Sequence, residues 1–323
     1  MKALSVFSGG LDSMLATQLI RVQGIDVLAL FFETPFFSSK RAETSARSMD
    51  LPLKIIDITH RHLEVVKRPK HGYGGNMNPC IDCHALMFRI AGEMLQRENS
   101  HFVISGEVLG QRPMSQNKQS LARVASESDL GGLLLRPLSA KHLPPTIPEE
   151  KGWVKRELLM DFQGRTRKPQ MELARKFNIK GYPSPAGGCL LTEKVFSRRL
   201  KDLLSEQHDP DRKDIALLKL GRHFRIAPHA KLIVGRNKTE NEEIRALSRK
   251  NDLLLSSISV PGPTVLVSGM PSNTALKLAT AITVAYSDVG NNESVAVRVT
   301  RESDDEILVT PVHDKAEFKR YMI

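Results

Sequence analysis

Residues 2–7 open the chain as a short apolar strand. Residues 13–22 follow with helical spacing through Met14, Leu15, Leu19 and Ile20. Residues 26–32 form a continuous apolar run between Gly24 and Pro35, the pattern of a strand buried on both faces. A polar helix over 39–49, a strand over 53–58, a long amphipathic helix over 81–97 and strands over 101–105 and 133–136 complete the alternation. Strands alternating with helices predict a doubly wound α/β domain with a parallel sheet. Such sheets bind ligands at the carboxyl ends of their strands, where the strand order reverses.

Residues 142–152 are proline-rich and read as a loop, 168–177 as a helix, and 181–188 as a loop presenting Cys189. The pattern then changes. Short strands over 224–226, 231–234, 253–257, 264–267, 294–299 and 306–309, with helices over 241–249 and 274–286, predict a smaller α+β domain. The expected division is residues 1–200 and 201–323. A length of 323 residues suits two domains.

A 41% hydrophobic and 26% charged composition is ordinary for a globular protein. No apolar run reaches the ~20 residues of a membrane helix, and the N-terminus has no leader-like segment. A cytoplasmic protein that does not enter membranes is expected. The net charge of +11 favours a polyanionic partner, because a cation placed on a phosphate releases counterions.

Candidate chemistry begins at Ser8-Gly9-Gly10-Leu11-Asp12-Ser13, between the first strand and first helix. Glycines there let the backbone approach phosphate oxygens. The helix N-terminus adds free N–H groups and a positive dipole end. Ser8 and Ser13 add hydroxyls, and Asp12 suits Mg²⁺, which takes hard oxygen ligands. The loop lacks the Walker lysine, so the cation must come from a metal or from another part of the chain.

Only three cysteines are present, too few and too odd for a disulfide framework. Cys80 and Cys83 sit at i and i+3 where a helix begins, so both face one centre, and the dipole there favours thiolates. Cys189 follows two glycines. Three chemistries suit this set: a zinc site completed by His84, a persulfide pair with a resolving thiol, and a three-cysteine [4Fe–4S] cluster with one open iron. The position of Cys189 on a flexible loop favours the cluster, whose open iron could deliver sulfide to an activated carbon.

Four blocks occur in order. They are the loop at 8–13, then Cys80-x-x-Cys83-x-x-x-Met87-Phe88-Arg89-Ile90-Ala91, then Ser105-Gly106-Glu107-x-Leu109-Gly110-Gln111-x-x-x-Ser115-Gln116, then Leu135-Arg136-Pro137-Leu138. Over residues 1–195 the chain resembles the PP-loop catalytic domain of tRNA 4-thiouridine synthetases and, more distantly, the 2-thiouridylases of anticodon uridines. The resemblance implies an adenine nucleotide alpha hydrolase-like fold that cleaves ATP between its α and β phosphates. It implies adenylation of a tRNA uridine oxygen and its replacement by sulfur, with 4-thiouridine at position 8 favoured. It places Ser8, Gly9, Gly10, Leu11, Asp12, Ser13, Gly106 and Gln111 at ATP, with Gly106, Gln111 and Gln116 around the nucleotide and the target base, and puts adenine at the end of the second strand, where Phe32 is preferred to Phe31. Asp12, Cys80, Cys83 and Cys189 would carry catalysis, the three cysteines holding a [4Fe–4S] cluster. Zinc, or no metal with a persulfide, stays open. Sulfide or a donor protein would supply sulfur, and a homodimer is left open.

The synthetases' N-terminal RNA-binding extension and rhodanese tail have no counterpart here. RNA recognition is therefore expected in the C-terminal region, which is similar around Leu220–Arg225 to the NFACT RNA-binding domain. Arg222, Arg225, Lys231 and Arg236 are its candidate contacts. A PP-loop amide ligase and a non-catalytic RNA-binding protein with a vestigial loop are the competing readings.

Overall fold

The computed structural model describes residues 1–182, 189–269, 271–302 and 304–323. The segment 183–188, most of the loop expected before Cys189, lies outside the described residues. Two compact units meet between Thr192 and Glu193.

Unit 1 runs β1 (Lys2–Val6), α1 (Leu11–Arg21), β2 (Asp26–Glu33), α2 (Lys40–Ser48), β3 (Leu53–Asp57), α3 (Thr59–Lys67), α4 (Cys80–Met94), β4 (Phe102–Ser105), α5 (Lys118–Glu127), β5 (Leu134–Leu135), α6 (Ile147–Glu150) and α7 (Lys168–Lys176). The sheet order is β3-β2-β1-β4-β5, and every pairing is parallel. The order reverses at β1, so the crevice falls between β1 and β4. Successive residues on one strand enter opposite cores, because side chains alternate across a sheet. Ala3, Ala29, Phe102, Ile104 and Leu135 meet Met14 and Ile20 of α1 on one face. Leu4, Leu30, Val103 and Leu134 meet Leu86 and Phe88 of α4 and Val124 of α5 on the other. Two covered faces explain why these strands read as unbroken apolar runs.

Unit 2 runs α8 (Lys194–Glu206), α9 (Arg212–Leu217), β6 (Arg222–Ala227), β7 (Ala230–Val234), α10 (Lys238–Leu247), β8 (Leu253–Ser257), β9 (Val265–Ser268), α11 (Asn273–Ala285), β10 (Ser294–Arg301) and β11 (Asp304–Pro311). Its six strands form an antiparallel sheet in the order β11-β10-β8-β9-β7-β6. Ala279 and Ile282 of α11 pack on Phe224, Val234, Leu255 and Val267 on one face. Leu217 of α9 and Ile244 of α10 pack on Ile233 and Leu266 on the other. Among the described residues, no helix is long and apolar enough to cross a membrane.

Candidate active site

The loop after β1 turns at Gly9, whose φ of +71° suits a residue without a side chain. A Cβ there would also lie 2.7 Å from the Cα of Ala42 on α2. Ser13 Oγ donates to Gly10 O at 2.8 Å, and Gly10 N donates to Ser8 Oγ at 3.3 Å, so the first turn of α1 closes over its own entry. Leu11 and Ser13 are buried there, whereas Ser8 is exposed.

Gly106, at the end of β4, comes from across the crevice. A Cβ on it would lie 2.5 Å from Ser13 N and 2.6 Å from the Asp12 carbonyl carbon. The segment after Gly106 folds back through Gly110 N donating to Gln116 O at 2.7 Å. That fold carries Gln111 to Asp12, where its Nε2 donates to Oδ2 at 3.1 Å. Asp12 Oδ1 is buried with no hydrogen-bond partner among the described residues. Burial pushes the Asp12 carboxyl above its ordinary range, against the opposing pull of the Gln111 bond and of Arg167 and Arg112. A buried carboxylate oxygen with no proton donor is a ready ligand for a hard cation.

Gln170 of α7, also buried, lies near enough to pull the Asp12 carboxyl down, and Arg167 caps the same helix. Neither residue was among the sequence candidates. The signal was legible: α7 buries Gln170, Leu173 and Ala174 at i, i+3 and i+4, so a glutamine occupies a core position of an amphipathic helix. Phe32 packs in the core with Leu30 and Phe88, and Phe31 meets Phe37 edge-on at 6.3 Å. Any part Phe32 takes in holding adenine therefore falls to its backbone. Gln116 is buried too.

The helix carrying the cysteines begins at Cys80 and places Cys83 one turn in, with Cys83 N donating to Pro79 O at 2.8 Å. The residues before it are tied to the turn that bears Cys189. Met77 N donates to Leu191 O at 3.2 Å and Asn76 Nδ2 donates to Thr192 O at 2.6 Å. Thr192 in turn donates to Cys189 O through its amide at 2.8 Å and its hydroxyl at 2.6 Å. Thus residues more than a hundred positions apart form one structural piece. Burial pushes the Cys83 thiol far up, and the nearby charges of Cys189 and Cys80 push the same way. Burial also raises Cys80. At both thiols burial works against the helix dipole that would favour the thiolate. His62, kept neutral by burial at a pKa of about 4, places Nε2 3.2 Å from Cys83 Sγ.

As for a metal, the chemistry of the donor set suits one: Cys83 is buried, Cys80 and Cys189 are half-buried, and a cationic centre would relieve the repulsion among their thiolates. Among the described residues no three His, Cys, Asp or Glu side chains already stand at metal-binding spacing. His84, the alternative zinc ligand, is engaged instead. Its Nδ1 lies 2.8 Å from Glu107 Oε1. Burial alone would raise the Glu107 carboxyl, but Arg136 Nε at 2.8 Å and His84 outweigh it and hold the pKa at about 2. This buried network ties α4 to the ends of β4 and β5.

Residues 1–142 match the family described as thiamine biosynthesis protein (ThiI). That match lies within the first unit. Residues 221–322 match the NFACT protein RNA binding domain. The tRNA-specific 2-thiouridylase MnmA of Karelsulcia muelleri is 26% identical over 217 residues, 62% of this chain and 53% of that protein. A probable tRNA sulfurtransferase of Anoxybacillus flavithermus is 29% identical over 146 residues, 42% of this chain and 35% of that protein. This chain therefore spans about half or less of the length of these relatives. The solved 4-thiouridine synthetase–RNA complex with bound ATP is 23% identical, with a TM-score of 0.38, covering 56% of this chain and 43% of that one.

The four sequence candidates for RNA contact divide in unit 2. Arg225 is bound to Asp202 through Nε at 3.1 Å and Nη2 at 2.8 Å. Lys231 is buried with Nζ 3.1 Å from Asp202 Oδ2. Both are spent on an internal acid. Arg222 and Arg236 face a cavity of about 460 Å³.

Proposed function

We propose that this chain uses ATP to activate a uridine oxygen of tRNA and replaces that oxygen with sulfur. The observation that carries the reading is a loop carboxylate and a cysteine turn in the same unit, both under the charge of Arg112. Asp12, with its buried unpartnered oxygen, lies in the phosphate loop, and the Cys80–Cys83 turn is tied to the Cys189 turn. The ThiI match over residues 1–142 and the names of the tRNA-modifying relatives support it.

The backbone at Gly9 and Gly10 and the hydroxyls of Ser8 and Ser13 grip the ATP phosphates. Asp12 would hold Mg²⁺, a Lewis acid and template for the phosphates. The uridine oxygen attacks the α-phosphorus, and the bond to pyrophosphate breaks. Sulfide then adds to the adenylated carbon, and AMP departs with the original oxygen. A [4Fe–4S] cluster on Cys80, Cys83 and Cys189 would supply an open iron for sulfide. Gln111 orients Asp12, while Glu107, anchored on Arg136, orients His84 beside the cysteines. Burial of Cys83 speaks against its serving as an exposed persulfide carrier, so sulfide rather than a donor protein is the favoured source. By resemblance the product is 4-thiouridine at position 8. The MnmA likeness keeps 2-thiouridine as the second reading.

Anaerobically purified protein given ATP, Mg²⁺, sulfide and unmodified tRNA tests the reading. AMP and pyrophosphate formed only with tRNA, and abolished by Asp12→Ala, are the expected result. AMP formation indifferent to tRNA would favour a small-molecule ligase instead.

A further inference from the structure

The cavity in unit 2 gathers cations with little to neutralise them. Its lining includes Arg222, Arg236, Lys238, Arg245 and Lys315 around Tyr286, with Glu242 as its only acid. Arg236 is matched by Glu240, to which its Nε donates at 2.9 Å. Among the described residues, Arg222, Lys238, Arg245 and Lys315 make no ion pair. Lys238, Arg245 and Lys315 are exposed. Such a concentration of like charge repels itself and raises the energy of the isolated protein, unless an anion fills it.

The construction is deliberate in its geometry. Tyr286 packs against Phe224 of the core at 5.8 Å. Its ring holds the Arg222 guanidinium at 5.1 Å and the Lys315 ammonium at 5.5 Å from its centroid. Ring and cation attract when so placed, so the aromatic fixes two charges that would otherwise spread into solvent. Asn237 caps α10 by accepting from Glu240 N at 3.0 Å, so Lys238 opens a ten-residue helix whose positive dipole end lies at the cavity lining. Arg245 stands two turns further along the same helix.

We infer that this cavity is the site where unit 2 grips the phosphodiester backbone of RNA. Four unpaired cations at the mouth of a nucleotide-sized recess suit successive phosphates of one strand better than a single small anion. Arg225 and Lys231, spent on Asp202, take no part. The inference rests on the reading that the substrate is RNA, yet it stands or falls by a different measurement.

Binding of the full-length chain to an unmodified tRNA transcript, followed over a range of salt, decides it. The pairs Lys238→Glu with Arg245→Glu, and Arg222→Glu with Lys315→Glu, are each expected to weaken binding at least tenfold. Each should also flatten the log–log salt slope by roughly 0.7 to 0.9 per lost phosphate contact. Circular dichroism confirms folding. The control pair Lys277→Glu with Arg301→Glu, exposed cations outside the cavity, should bind within twofold of wild type. Equal losses in control and cavity pairs, or no loss in the cavity pairs, would overturn the assignment even if thiolation proceeds. So would displacement of tRNA by submillimolar pyrophosphate. Conversely, loss confined to the cavity pairs in a protein that never forms thiouridine would sink the proposed reaction and leave this site standing.

Discussion

Single atoms set the terms of this site. Asp12 is held by Gln111 but keeps one buried oxygen unpartnered among the described residues. Asp12→Asn keeps the shape and removes the charge that would draw a divalent cation, a loss of several kcal/mol of transition-state stabilisation. The rate of AMP release, followed by chromatography, is therefore expected to fall about 100-fold or more, with an unchanged thermal melt. Gly106→Ala should lower stability as well as activity. Its new methyl meets Ser13 N and the Asp12 backbone, which cannot retreat without moving α1. Overpacking of this kind costs about 1–3 kcal/mol. A melting temperature lowered together with ATP use is the expected result, and an unperturbed melt would count against the close approach of β4 to α1.

At the scale of elements, the arrangement depends on ties between segments far apart in sequence. Asn76 Nδ2 and Met77 N hold the 189–192 turn against the start of α4. Asn76→Ala removes one such bond, worth about 1 kcal/mol, and should uncouple the reaction. The yield of thiouridine per AMP falls several-fold while AMP release persists, and an unchanged ratio would contradict the tether. The Glu107–Arg136–His84 network binds three elements in the same way. Its carboxyl titrates near pH 2, below its unfolded value of about 4.5. The carboxylate thus stabilises the fold above pH 4.5, and that stabilisation is lost as pH falls toward 2. A shift of this size corresponds to about 3 kcal/mol. Denaturant melts at pH 7 and pH 3 should show Glu107→Gln losing stability at neutral pH, where it strands Arg136, and differing less from wild type in acid.

Much of this element order was legible in the chain. The strands of unit 1 are buried on both faces and read as apolar runs, and the helices α1 and α4 carry wide apolar stripes. By contrast α3 and α5 are short and largely polar, with three buried residues each, so their periodicity is faint. The turn after β1 was legible because glycine, serine and aspartate at fixed spacing between a strand and a helix have few other uses. The ties at Asn76 and the engagement of Arg225 and Lys231 with Asp202 were not. They depend on partners brought together only by tertiary folding, and charge composition alone cannot separate a cation that meets solvent from one that meets an acid.

At the scale of the whole molecule, one chain matches the ThiI family over residues 1–142 and the NFACT protein RNA binding domain over residues 221–322. Cys80, Cys83 and Cys189 are expected to bring iron and acid-labile sulfide with anaerobically purified protein, and Cys189→Ser should lose both in colorimetric assay. Zinc in their place would redirect the sulfur chemistry. The most direct measurement is mass spectrometry of nucleosides from unmodified tRNA after anaerobic incubation with the protein, ATP and isotopically labelled sulfide. The account predicts a uridine in which labelled sulfur has replaced one oxygen, absent without ATP. Unaltered uridine throughout, with protein that carries its metal and cleaves ATP, would contradict it.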